Sequence, residues 1–241
     1  MPLSRHASFV QTQWSMVRRA VDEQDSGSQR ALGQLCQNCW YPIYAFIRRS
    51  GKSPADAEDL CQGFFERVIS TRLLASADPE KGKLRTFLLS CLKHYMADEH
   101  DRASAQKRGG GKVVEFSALS AEEQYLAEPV DTDTPDRLYQ KQWALQVIAT
   151  SMQELENAYL AEGKQALFAA LKPFLGFSQS SEPNYQSVAD ALGLNLNTLK
   201  SHIRRLRERW RDCVMSQVAA TLDNPTPDEI KAELRELLGC V

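Results

Sequence analysis

Apolar residues recur along this chain at intervals of three and four, the spacing that puts side chains on one face of an α-helix. Phe9, Val10, Trp14 and Val17 predict a first amphipathic helix within residues 9–20. Leu32, Leu35, Cys39, Ile43, Phe46 and Ile47 predict a longer one from about Gln29 to Arg49, with Pro42 as an interior kink point. Ser53-Pro54 predicts the next start, a capping serine before a first-turn proline, with Asp56, Glu58 and Asp59 close behind. That helix should reach about Ser70. Asp78 to Gly82 reads as a turn, and a helix should follow from about Leu84 to Ser104. Helices resume over Pro135–Ala161 and Lys164–Leu171, and a pair starts at Tyr185. A short amphipathic helix, Asp228 to Leu238, lies beyond Pro225 and Pro227. No useful length of strand-like alternation appears, so the expected fold class is all-α.

Composition divides this helical pattern. Between Glu115 and Asp136 the chain has seven acids and no Lys or Arg, with Pro129 and Pro135. Such a shift reads as a linker. The expected organisation is therefore two small helical domains joined by an acidic linker. These are a helical domain at 1–108, a flexible linker at 109–134, a second domain at 135–222 that contains a helix-turn-helix, and a tail at 223–241 with a short helix. No run approaches the ~18 apolar residues of a membrane span. The N-terminal MPLSRHASFVQTQWSMVRR lacks a signal-peptide core, so the expected location is the cytoplasm, with no membrane insertion.

Charge singles out Tyr185 to Arg211. Val188, Ala189, Leu192, Leu194, Leu199, Ile203 and Leu206 form a packing face, and Gly193 suits a positive-φ turn between two helices. Asn195 or Asn197 can cap the second helix, and the local pattern favours Asn197. That helix bears Lys200, Arg204, Arg205, Arg207, Arg209 and Arg211 against the single acid Glu208, in a chain of net charge −2. A local basic face on a near-neutral protein points to a placed phosphate contact. The candidate DNA contacts are Thr198, Lys200, Ser201, His202, Arg204 and Arg205. A solvated basic helix is the plain alternative.

Other chemistries find little support. Cys36-Gln-Asn-Cys39 is formally CxxC but lacks a second Cys/His pair, so helix packing is its simpler reading. Gly109-Gly110-Gly111-Lys112 lacks the spacing and the following Ser or Thr of a phosphate loop. His94 and His100 flank Asp98 and Glu99 but fall roughly 240° apart around a helix, so they share no ligand face. No catalytic residues, metal site or cofactor are expected.

Two further stretches, DAEDLCQGFFERVI (56–69) and KGKLRTFLLSCLKHYMADEHDR (81–102), complete the pattern. They resemble region 2 of bacterial RNA polymerase sigma factors, and Tyr185 onward resembles their region 4. The match is to the compact extracytoplasmic-function type and covers roughly residues 10–105 and 135–215. Asp59, Gln62 and Phe65 fit the family's D-x-x-Q-x-x-F docking helix. The resemblance thus implies polymerase contacts at Asp56, Asp59, Gln62 and Phe65. Leu84-Arg85-Thr86-Phe87-Leu88 is similar to the family's F-R-x-W-L segment, with Phe87 in place of Trp. Lys93 and His94 stand where Arg and Asn are usual, and Asp98 is retained. The resemblance implies DNA contacts near the −10 element at Lys83, Arg85, Lys93, Asp98 and Arg102. Val188-Ala189, Leu192-Gly193, Thr198-Leu199-Lys200-Ser201 and Arg205 follow the region 4 pattern, with Ser187 in place of Glu.

The implied function is a sigma factor that binds core RNA polymerase and directs initiation at promoter DNA through −10 and −35 elements. An anti-sigma factor is a further possible partner. No chemical step is required of the chain itself. Two alternatives stay open: a helix-turn-helix regulator that binds DNA without polymerase, and a degenerate sigma-like interaction module without initiation activity.

Overall fold

A computed structural model describes residue 17 and residues 28–71, 73–78, 82–105, 118–127, 134–176 and 183–240. Nine α-helices and no strand occur among these residues: α1 (Ser28–Arg49), α2 (Pro54–Ser70), α3 (Leu84–Ala105), α4 (Ala118–Ala127), α5 (Pro135–Ala161), α6 (Gln165–Leu171), α7 (Tyr185–Leu192), α8 (Leu196–Ala220) and α9 (Pro227–Leu238). The all-α expectation is met. Apart from the buried Val17, the helix expected at 9–20 lies outside the described residues. So do the glycine run at 109–111, most of the turn before Leu84, and residues 177–182.

The chain divides into two compact units, Met1–Gln146 with Val218–Val241, and Val147–Gln217. These bounds differ from the expected domains. The start of α5 belongs to the first unit, because Leu138, Tyr139, Trp143 and Ala144 are all buried and the Tyr139 hydroxyl donates to the Arg85 carbonyl at 3.0 Å. The tail is part of the first unit as well.

In the first unit, α1 packs against α2. Pro42 removes one amide donor inside α1, and the helix continues through it. Ser53 caps α2, its hydroxyl accepting the Asp56 amide at 3.2 Å, with Pro54 in the first turn. Trp40, Ile43, Phe46 and Ile47 of α1 and Phe64, Phe65 and Val68 of α2 are all buried, and Trp40 stacks on Phe65. Cys36, Cys39 and Cys61 are free thiols buried beside them. Burial pushes the Cys36 thiol up to about 12 and raises Cys39 and Cys61 well above the ordinary thiol value. These protonated sulfurs pack as small apolar groups.

The acidic stretch does not read as a bare linker. Its middle forms α4, which packs on α1. Glu122 accepts the Tyr44 hydroxyl at 2.6 Å and two Arg48 nitrogens at 2.8 Å each. The Arg48 guanidinium also lies 4.8 Å from the Tyr125 ring centroid. The Arg48 hydrogen bond holds the Glu122 carboxyl below the usual range. An acid that looks solvated in sequence is thus claimed by a base 74 residues away.

The second unit has its own core of Leu155, Tyr159, Phe168, Leu171, Phe174, Ala189, Leu199, Ile203 and Leu206. Asn184 caps α7 by accepting the Gln186 and Ser187 amides. Gly193 ends it at φ 64°, the left-handed region that glycine enters without a Cβ clash. The cap of α8 is Asn195, not Asn197: the Asn195 side chain accepts the Thr198 amide at 2.8 Å. Asn197 already lies inside the helix, its carbonyl accepting the Ser201 hydroxyl. Asn195→Ala should therefore lower the stability of this unit by about 1 kcal/mol, whereas Asn197→Ala should change it by a few tenths. Urea unfolding followed by circular dichroism tests this, and an equal loss from both variants would contradict the assignment.

Candidate functional site

The expected polymerase-docking residues of α2 fall on two sides of the helix. Asp56, Asp59, Gln62 and Glu66 are spaced by three and four and share one face. Asp56 and Asp59 are exposed, and Gln62 is half-buried with its amide 3.4 Å from Glu58. Ala57, Cys61, Phe64, Phe65 and Val68 point inward. Phe65 is 5% exposed and stacks on Trp40 with centroids 5.5 Å apart and planes 18° from parallel. It is a core residue and does not belong to the outer surface. Three residues from Gln62, it begins the inward side of the helix.

Helix α3 separates its basic residues in a similar way. Lys93 is exposed and paired with Asp136, its ammonium 5.9 Å from the Phe46 ring centroid. Arg102 is exposed and paired with Glu99 at 2.7 Å. Such surface pairs contribute little and leave both cations accessible. Asp98 accepts Arg67 Nη1 at 2.7 Å, which ties α3 to α2, and the Arg67 hydrogen bond holds its carboxyl below the usual range. A carboxylate so engaged braces two helices, and as an anion it repels phosphate.

Lys83 is half-buried and Arg85 is buried. Lys83 Nζ lies 2.5 Å from a carboxylate oxygen of Glu233 and of Glu236. Arg85 pairs with Glu233 through Nη1 and with Glu236 through Nη2, and its Nε donates to Gln140 at 2.7 Å. Arg85 is 2% exposed, so the expectation of a DNA-facing Arg85 is corrected here. Burial lowers its pKa while the Glu236 charge opposes that shift, and the Lys83 hydrogen bond holds Glu236 below the usual carboxylate range. Glu233 and Glu236 are functional-site neighbours that sequence reading missed. One signal was present: Glu233 interrupts the row Ile230, Leu234, Leu237 on an otherwise apolar side of α9.

The α7–Gly193–α8 segment carries the other basic surface. Leu199, Ile203 and Leu206 are buried, as the spacing required. Lys200, Ser201, Arg204 and Arg205 are exposed, and Thr198 and His202 are half-buried. Lys200, Arg204 and Arg211 lie on one row of α8, with Ser201, Arg205 and Glu208 beside it. Arg204 Nε is 2.9 Å from Glu208, an exposed pair. Two arginines are spent within the unit. Arg207 donates twice to the Phe174 carbonyl, and Arg209 pairs with Glu162 at 2.7 Å while lying 4.3 Å from the Tyr159 ring centroid. The cations left outward are therefore concentrated on the first three turns, with Arg211 beyond them.

Among the described residues, no group of three or more His, Cys, Asp or Glu side chains is arranged to hold a metal. None of the helices in these residues is long and apolar enough to cross a membrane.

Comparison with known families matches residues 42–106 to the family described as Sigma-70 region 2. The matched stretch takes in the later part of α1, all of α2 and all of α3. It supports a sigma factor and indicates a sigma-factor-like, RNA-polymerase-binding role. No curated protein and no solved structure matches the chain.

Proposed function

With a Sigma-70 region 2 segment at residues 42–106 as the premise, we propose that this chain is a sigma factor of the compact extracytoplasmic-function type, which binds core RNA polymerase and selects promoters in two places. The observation that carries the reading is the acidic outer face of α2 within the matched segment. In this reading Asp56, Asp59 and Gln62 dock on a basic polymerase surface, with Phe65 acting only as the packing beneath them. Lys93 and Arg102 on α3 approach the −10 region. The α7–α8 pair works as a helix-turn-helix, with Thr198, Lys200, Ser201, Arg204 and Arg205 at the upstream −35 element, where phosphate contacts hold the helix and base contacts select. Polymerase performs the chemistry, and the chain positions it in the cytoplasm without a cofactor of its own. An anti-sigma partner fits the same reading, because any protein that covers the α2 face would block docking.

Reconstitution with bacterial core polymerase tests this. The full chain should produce defined transcription starts across genomic DNA. Asp59→Lys should weaken core binding by roughly tenfold, as expected for a reversed charge at an interface rim, without loss of helicity, because Asp59 is exposed. DNA binding without recruitment of polymerase would instead identify a helix-turn-helix regulator. Binding to polymerase without defined starts would identify a sigma-like interaction module. Unchanged core affinity in the folded Asp59→Lys variant would remove α2 as the docking face.

A further inference from the structure

We propose that α9 is an acidic cover held in place within the chain, and that Glu233 and Glu236 occupy Lys83 and Arg85 in competition with the phosphates of DNA. The inference deepens the proposed function and rests on its placement of α3 near DNA.

The build of α9 motivates it. Thr226 and Glu229 form a reciprocal capping box, and Pro227 takes the first turn, so the helix has a sharply defined start. Ile230, Glu233, Leu234 and Leu237 share its inward side, where Leu237 is 2% exposed and Glu233 also 2%. An apolar residue at 233 would give ordinary helix packing. A carboxylate there is an expensive choice, because the desolvation of a buried ion pair cancels most of its attraction. Stability alone therefore gives little reason for Glu233. Its presence matters once the helix departs, because the two groups it neutralises then stand open together.

Those groups are chemically suited to phosphate. The Arg85 fork binds Glu233 through one nitrogen and Glu236 through another, and the Lys83 ammonium bridges the same two carboxylates. Guanidinium and ammonium groups that pair with carboxylates also take phosphate oxygens through charge-assisted hydrogen bonds. The same cluster borders open space. A cleft of about 320 Å³ runs along it, lined by Gly82, Lys83, Leu222, Pro225, Glu233 and Glu236. Leu237 is the one buried apolar residue of α9, with Ile230 and Leu234 half-buried, so a limited apolar contact opposes a polyanion that competes for Lys83 and Arg85.

The test uses the full-length chain and a fluorescein-labelled DNA duplex, without polymerase, in anisotropy titrations across a salt series. Glu233→Gln/Glu236→Gln should bind the duplex on the order of tenfold more tightly at low salt. The salt dependence of its log K should steepen by roughly two, about 0.9 for each cation released. Glu236→Gln alone, which leaves the buried Glu233 pair intact, should shift both quantities part of the way. Asp228→Asn makes the same single-charge change as Glu236→Gln, at an exposed residue paired with Lys231, and should do neither. Hydrogen exchange of the unmodified chain supplies the measurement that no folding defect can confuse: adding the duplex should speed exchange of the Ile230–Leu238 amides. The proposal is overturned if the Glu variants bind as wild type does, if Asp228→Asn gains as much, or if DNA leaves the α9 amides unchanged. Release of α9 by core polymerase but not by DNA overturns it too, and makes the cover a polymerase-operated one. These outcomes are independent of the sigma reading, which stands or falls on promoter-defined starts with core polymerase.

Discussion

Phe65→Ala is expected to destabilise the first unit by about 3–5 kcal/mol, the usual loss when a buried aromatic is truncated in a packed core. The ring is 5% exposed, stacks on Trp40 and meets Phe64 edge-on at 5.6 Å. Its removal leaves both neighbours facing a void that α1 and α2 cannot close without shifting. Phe65→Leu keeps most of the volume and should cost about 1.5 kcal/mol or less. Urea unfolding read by tryptophan fluorescence reports the difference, since Trp40 is the stacking partner. In polymerase assays the alanine variant should fail through loss of folded protein, in contrast to Asp59→Lys, which should fail while folded. A Phe65→Ala chain with an unchanged unfolding midpoint and weakened polymerase binding would return this residue to the docking surface.

Neutralising Lys200, Arg204 and Arg205 together should weaken binding to upstream promoter DNA on the order of a hundredfold at low salt. It should also reduce the salt slope of log K by roughly three, about 0.9 for each lost phosphate contact. If any of the three contacts a base edge, preference at one position of a promoter library should relax as well. The fold should survive, because all three side chains are exposed while Leu199, Ile203 and Leu206 hold the helix to its core. Arg207 and Arg209 give the opposite result in the same assay. They brace Phe174, Glu162 and Tyr159, so Arg207→Gln and Arg209→Gln should lower the unfolding midpoint and leave selectivity alone. Unchanged affinity and preference in the triple variant would show that α8 does not read the promoter.

Local interactions were legible in the amino-acid sequence because their causes lie within a few residues of one another. Helical spacing marked α1, α2, α3 and the inward face of α8. Ser53 and Pro54 marked a helix start, and Gly193 marked the left-handed turn. The basic excess of α8 was equally plain, since charge composition is a property of the segment alone. A choice between two nearby asparagines was already beyond this reach: Asn195 and Asn197 are both good caps, and only the first turn's actual geometry decides for Asn195.

Tertiary structure decided the rest, through partners far apart in the chain. Periodicity could place Phe65 at the border of an apolar face, but Trp40, 25 positions earlier, makes it core. Charge could mark Lys83 and Arg85 as basic and the tail as acidic, but only folding brings Glu233 onto Arg85, 148 positions away, and turns an exposed cation into a buried one. In the same way Arg48 turns an acidic linker into a docked helix through Glu122. A sequence states which charges exist. Which of them neutralise each other depends on long-range packing, and that packing determines which cations of this chain remain available to a phosphate.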